Sequence, residues 1–180
     1  LHGSFASLRQ WDEWAAVLRT RYRVIRYDRS PMGLSGTTAP LGDDVGRSMR
    51  ELAELMRTLG VARFHLVATS SAGLLGAAYA AEHPEQVRSL VLSNIAVGRF
   101  QMDTSHLPWL MRRLQTIEPW FAGWHSSLFW GEVLRLNFND PSRVPATLGR
   151  EWADLNNRTQ RMPKVPVATS AASPFERTVA

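Results

Sequence analysis

The sequence predicts an α/β protein: a mostly parallel sheet with crossover helices, followed by an inserted α-helical segment. Between residues 22 and 94, short β-rich apolar runs alternate with helical patterns. Parallel neighbours require crossover connections of this kind. After about residue 100 the texture changes to tryptophans at helical spacing, with no strand signal among them. At 180 residues, with 44% hydrophobic and 21% charged content, the chain can bury one sizeable core.

Each element has its own warrant. Leu8, Trp11, Ala15 and Leu18 recur at helical spacing and predict a helix over about residues 7–19. "YRVIRYD" (22–28) predicts a strand, and the Pro and Gly of "RSPMGLSG" (29–36) predict a loop. Asp43 and Asp44 can cap a helix carrying Met49, Leu52, Leu55, Met56 and Leu59, which Gly60 ends. "RFHLVA" (63–68) predicts a second strand, and "AGLLGAAYAAEHP" (72–84) a core helix ended by Pro84. "VRSLVLSN" (87–94) predicts a third strand. Helical patterns then cover 107–117, 126–138 and 143–156, and "KVPVATS" (164–170) suggests a short return to the sheet. The expected organisation is a core over 1–100, a helical insertion over 101–163, and the start of a return over 164–180.

Composition removes several function classes. With no cysteine, disulfides and thiolate metal sites are excluded. No apolar run is long enough to span a bilayer. The net charge of +5 could suggest nucleic acid, but the arginines are scattered. Their tightest cluster, Arg19, Arg21, Arg23 and Arg26, runs through a helix end into a strand rather than along one face. Neither a nucleic-acid nor a membrane partner is expected; oligomeric state stays open. A cytoplasmic location is expected, although the chain starts at Leu1 rather than Met and the true N-terminus is taken to be missing.

The stretch "VATSSAG" (67–73) places two serines between the second strand and the core helix. A serine nucleophile must stand clear of the backbone, beside oxyanion donors and within reach of a base. A sharp strand-to-helix turn achieves this, and it demands tiny residues two positions before and after the serine. For Ser70 those positions are Ala68 and Ala72, with Gly73 next; for Ser71 the preceding one would be the β-branched Thr69. Ser70 is the better nucleophile candidate. The bland alternative is an ordinary small-residue turn.

Here the chain resembles the α/β-hydrolase family, in its cap-bearing esterase, lactonase and haloperoxidase-like group. The family's Gly-x-Ser-x-Gly-Gly elbow reads Ala68-Thr69-Ser70-Ser71-Ala72-Gly73. "LHGS" (1–4) resembles the His-Gly oxyanion loop, and "YDRSPMGLSG" (27–36) the loop after the fourth strand. "AAEHPEQVRSLVLSN" (80–94) resembles the segment after the elbow. The resemblance covers about residues 1–100, and the helical region that follows fits the family's cap in position and length.

What the resemblance implies can be set out residue by residue. Ser70 would be the nucleophile, and the backbone N–H groups of Ser4 and Ser71 the oxyanion hole. His2 and Gly3 would support the oxyanion loop, and Asp28 would brace a loop. Trp109, Trp120, Trp124 and Phe129 are pocket candidates, with packing as their other role. His65 and His83 read as structural, and His106 and His125 lie in the cap. The expected substrate is a small-molecule carboxylic ester or lactone, attacked through an acyl-enzyme without metal or organic cofactor. Haloalkane dehalogenation is disfavoured, because it needs an aspartate where Ser70 sits. A non-catalytic ligand-binding member of the fold, and a cofactor-free lyase or perhydrolase, are the alternatives.

The pattern also breaks. Ser173 stands where the family's catalytic aspartate is expected, Glu176 is near but out of register, and Asn94 holds an alternative acid position. No histidine follows His125, so the base has no counterpart. The expectation is a fragment, with a catalytically dead relative as the alternative. In the family's strand order a third strand separates the strand at 22–28 from that at 63–68. A chain carrying only its end would leave both without their shared partner.

Overall fold

The computed structural model describes residues 1–35, 45–95, 108–117, 125–137, 140–145 and 147–158. They fall into two compact units, one within residues 1–100 and one within 101–162.

In the first unit a 3₁₀ turn at Leu8–Trp11 leads into α1 (Asp12–Leu18), whose first turn carries Asp12 and Glu13 at the positive end of the helix dipole. Helix α2 (Val45–Thr58) buries Met49, Leu52 and Met56, spaced by three and four along one face. Gly60 ends it in the left-handed conformation, φ +66°. The N–H of Val61 reaches Met56 O at 2.9 Å and that of Gly60 reaches Arg57 O at 3.1 Å, the paired bonds of a Schellman cap. The proposed caps Asp43 and Asp44 lie outside the described residues.

Strand β1 (Phe64–Thr69), helix α3 (Ala72–Glu82) and strand β2 (Val87–Ser93) form one crossover unit. The strands pair in parallel, with Leu66 opposite Leu90, Ala68 opposite Leu92 and Thr69 opposite Ser93. Met49, Leu52 and Met56 of α2 meet Leu66 of β1 and Leu75 and Tyr79 of α3 in the core. The buried Tyr79 ring keeps its hydroxyl satisfied by donating to Gln86 Oε1 at 2.8 Å.

The segment expected as a strand at 22–28 is corrected: it forms no ladder among the described residues. A strand exists only through a partner's backbone groups. Among the described residues, Leu1 borders β1, its amine donating to Val67 O and its carbonyl accepting from Thr69 N. Beyond it, His2 takes the N–H of Arg29 on its ring. Ile25 and Tyr27 still pack against the core. Two arginines of the 19–26 cluster are used locally, Arg26 in an ion pair with Asp12 and Arg23 on Leu59 O.

The second unit holds α4 (Trp109–Ile117), α5 (Ser127–Asn137), a 3₁₀ turn at Pro141–Arg143 and α6 (Leu148–Arg158). Helices α5 and α6 meet backbone to backbone: a Cβ on Gly149 would fall 3.0 Å from Ser127 O and 3.1 Å from Gly131 Cα. Trp130, 1% exposed, packs edge-on against Phe129 and tilted against Trp152. The Asn157 side chain clamps the His125 backbone from both sides, accepting its N–H and donating to its carbonyl. No helix among the described residues is long and apolar enough to cross a membrane.

The Gly60 cap gives a clean test. A Cβ there would meet nothing within 4 Å, so Gly60→Ala introduces backbone strain without a clash. It is expected to lower stability by about 1 kcal/mol, read as a shift of the urea midpoint at constant slope. An unchanged midpoint would mean that the left-handed turn is not held.

Candidate active site

The end of β1 and the start of α3 are separated by Ser70 and Ser71 alone. Ser70 sits in the left-handed region at φ +53°, and the chain passes from strand to helix across it. This is a sparsely populated conformation for a residue with a Cβ, and it persists only where the surroundings over-determine it. Ser70 N–H donates to Ser93 O at 3.2 Å, and Ser70 O accepts the N–H of Gly73 at 2.9 Å. Thr69 adds a side-chain bond, its Oγ1 donating to Ser93 O at 2.9 Å. The turn is thus fastened to the end of the neighbouring strand, while Ser70 itself is exposed.

Small residues make the turn possible. Ala68 and Ala72, two before and two after Ser70, are both 0% exposed. A Cβ on Gly76 would lie 2.9 Å from that of Ala68, and one on Gly73 would lie 2.1 Å from Ile95 Cγ2. A Cβ on Gly3 would come within 2.7 Å of Ser70 Cβ and 3.1 Å of its Oγ. Gly3 is therefore a glycine because the first loop passes directly over the exposed serine. Ser4 follows, and its Oγ donates to Ser71 Oγ at 2.8 Å. The loop then turns away through Phe5, another left-handed residue at φ +59°.

His2 is fully buried behind this loop. The N–H of Arg29 donates to its Nε2 at 2.9 Å, so Nε2 carries the lone pair and Nδ1–H donates to Gly3 O at 2.8 Å. Burial is the main reason that its pKa is lowered from 6.5 to about 4. His2 is thus a neutral brace with both ring nitrogens occupied. Asp28 links the same loop to its neighbour, accepting the N–H of Leu8 on Oδ1 at 2.6 Å and that of Leu34 on Oδ2 at 2.9 Å. Arg29 closes the assembly by donating from Nε to His2 O at 3.0 Å.

The other described histidines are engaged elsewhere. His65, on β1, bonds Ser89 Oγ at 2.8 Å and lies five residues before Ser70, roughly 16 Å along an extended strand. His83 is the C-cap of α3, its ring tilted against that of Tyr79 at 4.5 Å, at the far end of the helix from Ser70. His125 stacks on Phe129 at 4.1 Å within the second unit. Asn94, directly after β2, is exposed and left-handed at φ +51°. Of the pocket candidates, Trp109 is 66% exposed on α4, with Arg113 over its ring, whereas Phe129 is buried in its own unit. Trp120, Trp124, His106, Ser173 and Glu176 lie outside the described residues.

Sequence reasoning missed three contributions here: the Ser4–Ser71 hydroxyl bond, the Thr69–Ser93 bond and Arg29 behind His2. Only Arg29 left a signal, its place beside Asp28 in "YDRS".

The comparisons with known proteins agree with this architecture. The family model for the α/β-hydrolase fold matches residues 1–163. The chain belongs to the α/β-hydrolase fold family. A fluoroacetate dehalogenase from a Burkholderia species is 39% identical over 101 residues, covering 53% of this chain and 33% of that protein. A 2-hydroxy-6-oxononadienedioate/2-hydroxy-6-oxononatrienedioate hydrolase from Burkholderia vietnamiensis is 34% identical over 102 residues, covering 54% and 35%. The match thus spans about a third of the length of these relatives. Among solved structures, a meta-cleavage product hydrolase from Pseudomonas fluorescens superposes with a TM-score of 0.69 at 21% identity, covering 98% of this chain and 61% of that one. At that identity the likeness speaks for the fold.

The His2 brace predicts a pH dependence. Its folded pKa lies below the unfolded value, so between 6.5 and about 4 the unfolded chain binds more protons. The stability that neutral His2 contributes is present above pH 6.5 and is lost as pH falls toward 4. The loss by pH 4.5 is on the order of 2–3 kcal/mol. Urea unfolding at pH 7.5 and 4.5 is expected to resolve it, and the excess pH dependence should vanish in His2→Asn. An equal dependence in both proteins would rule out the buried neutral imidazole.

Proposed function

We propose that this chain carries the nucleophile and oxyanion hole of a serine hydrolase acting on a carboxylic ester or lactone. The observation that supports it most is the exposed Ser70 in left-handed conformation between β1 and α3. Such strained positions cluster where a side chain must be presented for chemistry. Ser70 Oγ attacks the acyl carbon. The backbone N–H groups of Ser4 and Ser71 receive the developing oxyanion, in the loop and helix start that meet beside the serine. Collapse of the tetrahedral species expels the alcohol and leaves an acyl-Ser70, which water hydrolyses. No step calls for a metal or an organic cofactor. Residues 101–163 are read as the helical cap, with Trp109 its exposed described aromatic, and 164–180 as the start of the return to the sheet.

The proton of Ser70 needs an acceptor, and none of the described histidines bonds to it. No histidine follows His125 in the sequence. A second reading, kept open because no described histidine bonds Ser70, is a non-catalytic ligand-binding member of the fold. A lyase or perhydrolase would use the same nucleophile. Halide displacement, suggested by the name of the dehalogenase relative, needs an anionic nucleophile at carbon. Ser70 offers a neutral hydroxyl, so acyl chemistry is preferred.

The 180-residue chain is expected to turn over a short p-nitrophenyl ester about 10⁴- to 10⁶-fold more slowly than a complete triad would. Slow acylation by excess ester, located by mass spectrometry, should fall on Ser70 and disappear in Ser70→Ala. Acylation elsewhere with Ser70 unlabelled would overturn the nucleophile assignment. Robust turnover abolished by Ser70→Ala would instead assign the base to His106 or His125.

A further inference from the structure

Ser71 is the N-cap of α3, yet it does not cap. Serine is favoured at that position because its oxygen accepts an N–H from the first turn, which requires extended backbone at the cap residue. Here Ser71 is already helical, φ −58° and ψ −24°, and its side chain makes no capping bond. Its hydroxyl is engaged instead by Ser4, 67 residues away in sequence, at 2.8 Å. Two consequences follow. Ser71 places no side-chain oxygen over the first-turn amides of α3, of which Gly73 N–H is bonded to Ser70 O at 2.9 Å. The loop carrying Ser4 is also tied laterally to the residue next to Ser70.

That lateral tie is needed by the geometry around it. Gly3 lets the loop approach Ser70 to van der Waals contact but cannot stop it sliding. His2 and Leu1 hold the loop from behind, through Arg29 N and through β1. Phe5 bends the chain away immediately afterwards. Among the described residues, the Ser4–Ser71 bond is the direct polar link between the loop and the helix start.

We propose that this hydroxyl bond is a positioning contact, setting the separation of the Ser4 and Ser71 N–H groups so that both reach one oxyanion. It rests on the hydrolase reading above. It acts most strongly on the tetrahedral species, whose charged oxygen needs both donors. The two hydroxyls act as one unit, so removing either removes the whole effect.

A small alkylboronic acid tests it on the 180-residue chain without requiring a catalytic base. Boron accepts the Ser70 oxygen, the hydroxyl proton passes to solvent, and the adduct is a tetrahedral anion. Its affinity is measured at fixed pH by ¹¹B NMR, with Ser70→Ala defining the Ser70-dependent part. Ser4→Ala and Ser71→Ala are each expected to weaken that part about 5- to 10-fold, the size of one net hydrogen bond. The double variant should lose no more than either single one. Ser4→Thr should restore most of the affinity. Urea unfolding midpoints should stay together across the variants, which general loosening of the fold would not allow. Single-variant affinities within twofold of the unaltered chain, or losses that multiply in the double variant, would overturn the positioning role alone. Absence of any Ser70-dependent adduct in the unaltered chain would overturn the hydrolase reading and the positioning role with it.

Discussion

The structure of the first unit depends on one steric constraint: a strand and a helix joined by two residues must nearly touch. Ser70 accepts a left-handed backbone to make that junction, and everything around it is cut to fit. The fully buried Ala68 and Ala72 flank it, Gly76 lets α3 lie against β1, and Gly73 admits Ile95 from the segment after β2. Gly3 admits the N-terminal loop from the other side. The strain is offset by the Ser70 N–H bond to Ser93 O and by the Thr69 hydroxyl bond to the same oxygen, so the exposed serine is supported by the neighbouring strand.

A second support stands behind the loop. His2, Asp28 and Arg29 form a polar assembly in which nearly every contact is to a main-chain group. Histidine and aspartate near a serine invite a catalytic interpretation, but their hydrogen bonds argue otherwise. His2 Nε2 and Asp28 Oδ1 are 4.0 Å apart, and each is occupied by a backbone N–H. The imidazole contributes as a neutral spacer with a donor on one side and an acceptor on the other. A protonated ring would lose the bond from Arg29 and place a charge in a site with no solvent.

Elements whose stabilising contacts are periodic were legible in the sequence. The α2 core face, the α3 helix, and β1 and β2 flanking it lie where spacing and turn residues put them. The 22–28 segment has an equally good strand composition and is not in a ladder, because strand formation depends on a neighbour that local sequence cannot supply. The same distinction runs through the site. That Ser70 rather than Ser71 takes the left-handed turn follows from the size of residues two positions away. The Ser4–Ser71 and Thr69–Ser93 bonds join positions 67 and 24 residues apart and leave no periodic trace. Their donors read as two more small polar residues in loops.

The alanine at position 68 has a further consequence for how this sequence can change. The space between β1 and α3 there holds one methyl group, contributed by the strand at Ala68 and withheld by the helix at Gly76. The two positions therefore draw on a shared volume, and their tolerance is mutual rather than individual. A glycine at 68 would make room for an alanine at 76, whereas an alanine at both would force the layers apart beneath the serine. Mutational paths through this pair are ordered: the carbon has to leave one element before it can enter the other. The alanine at 68 is thus matched by a glycine about one turn into α3.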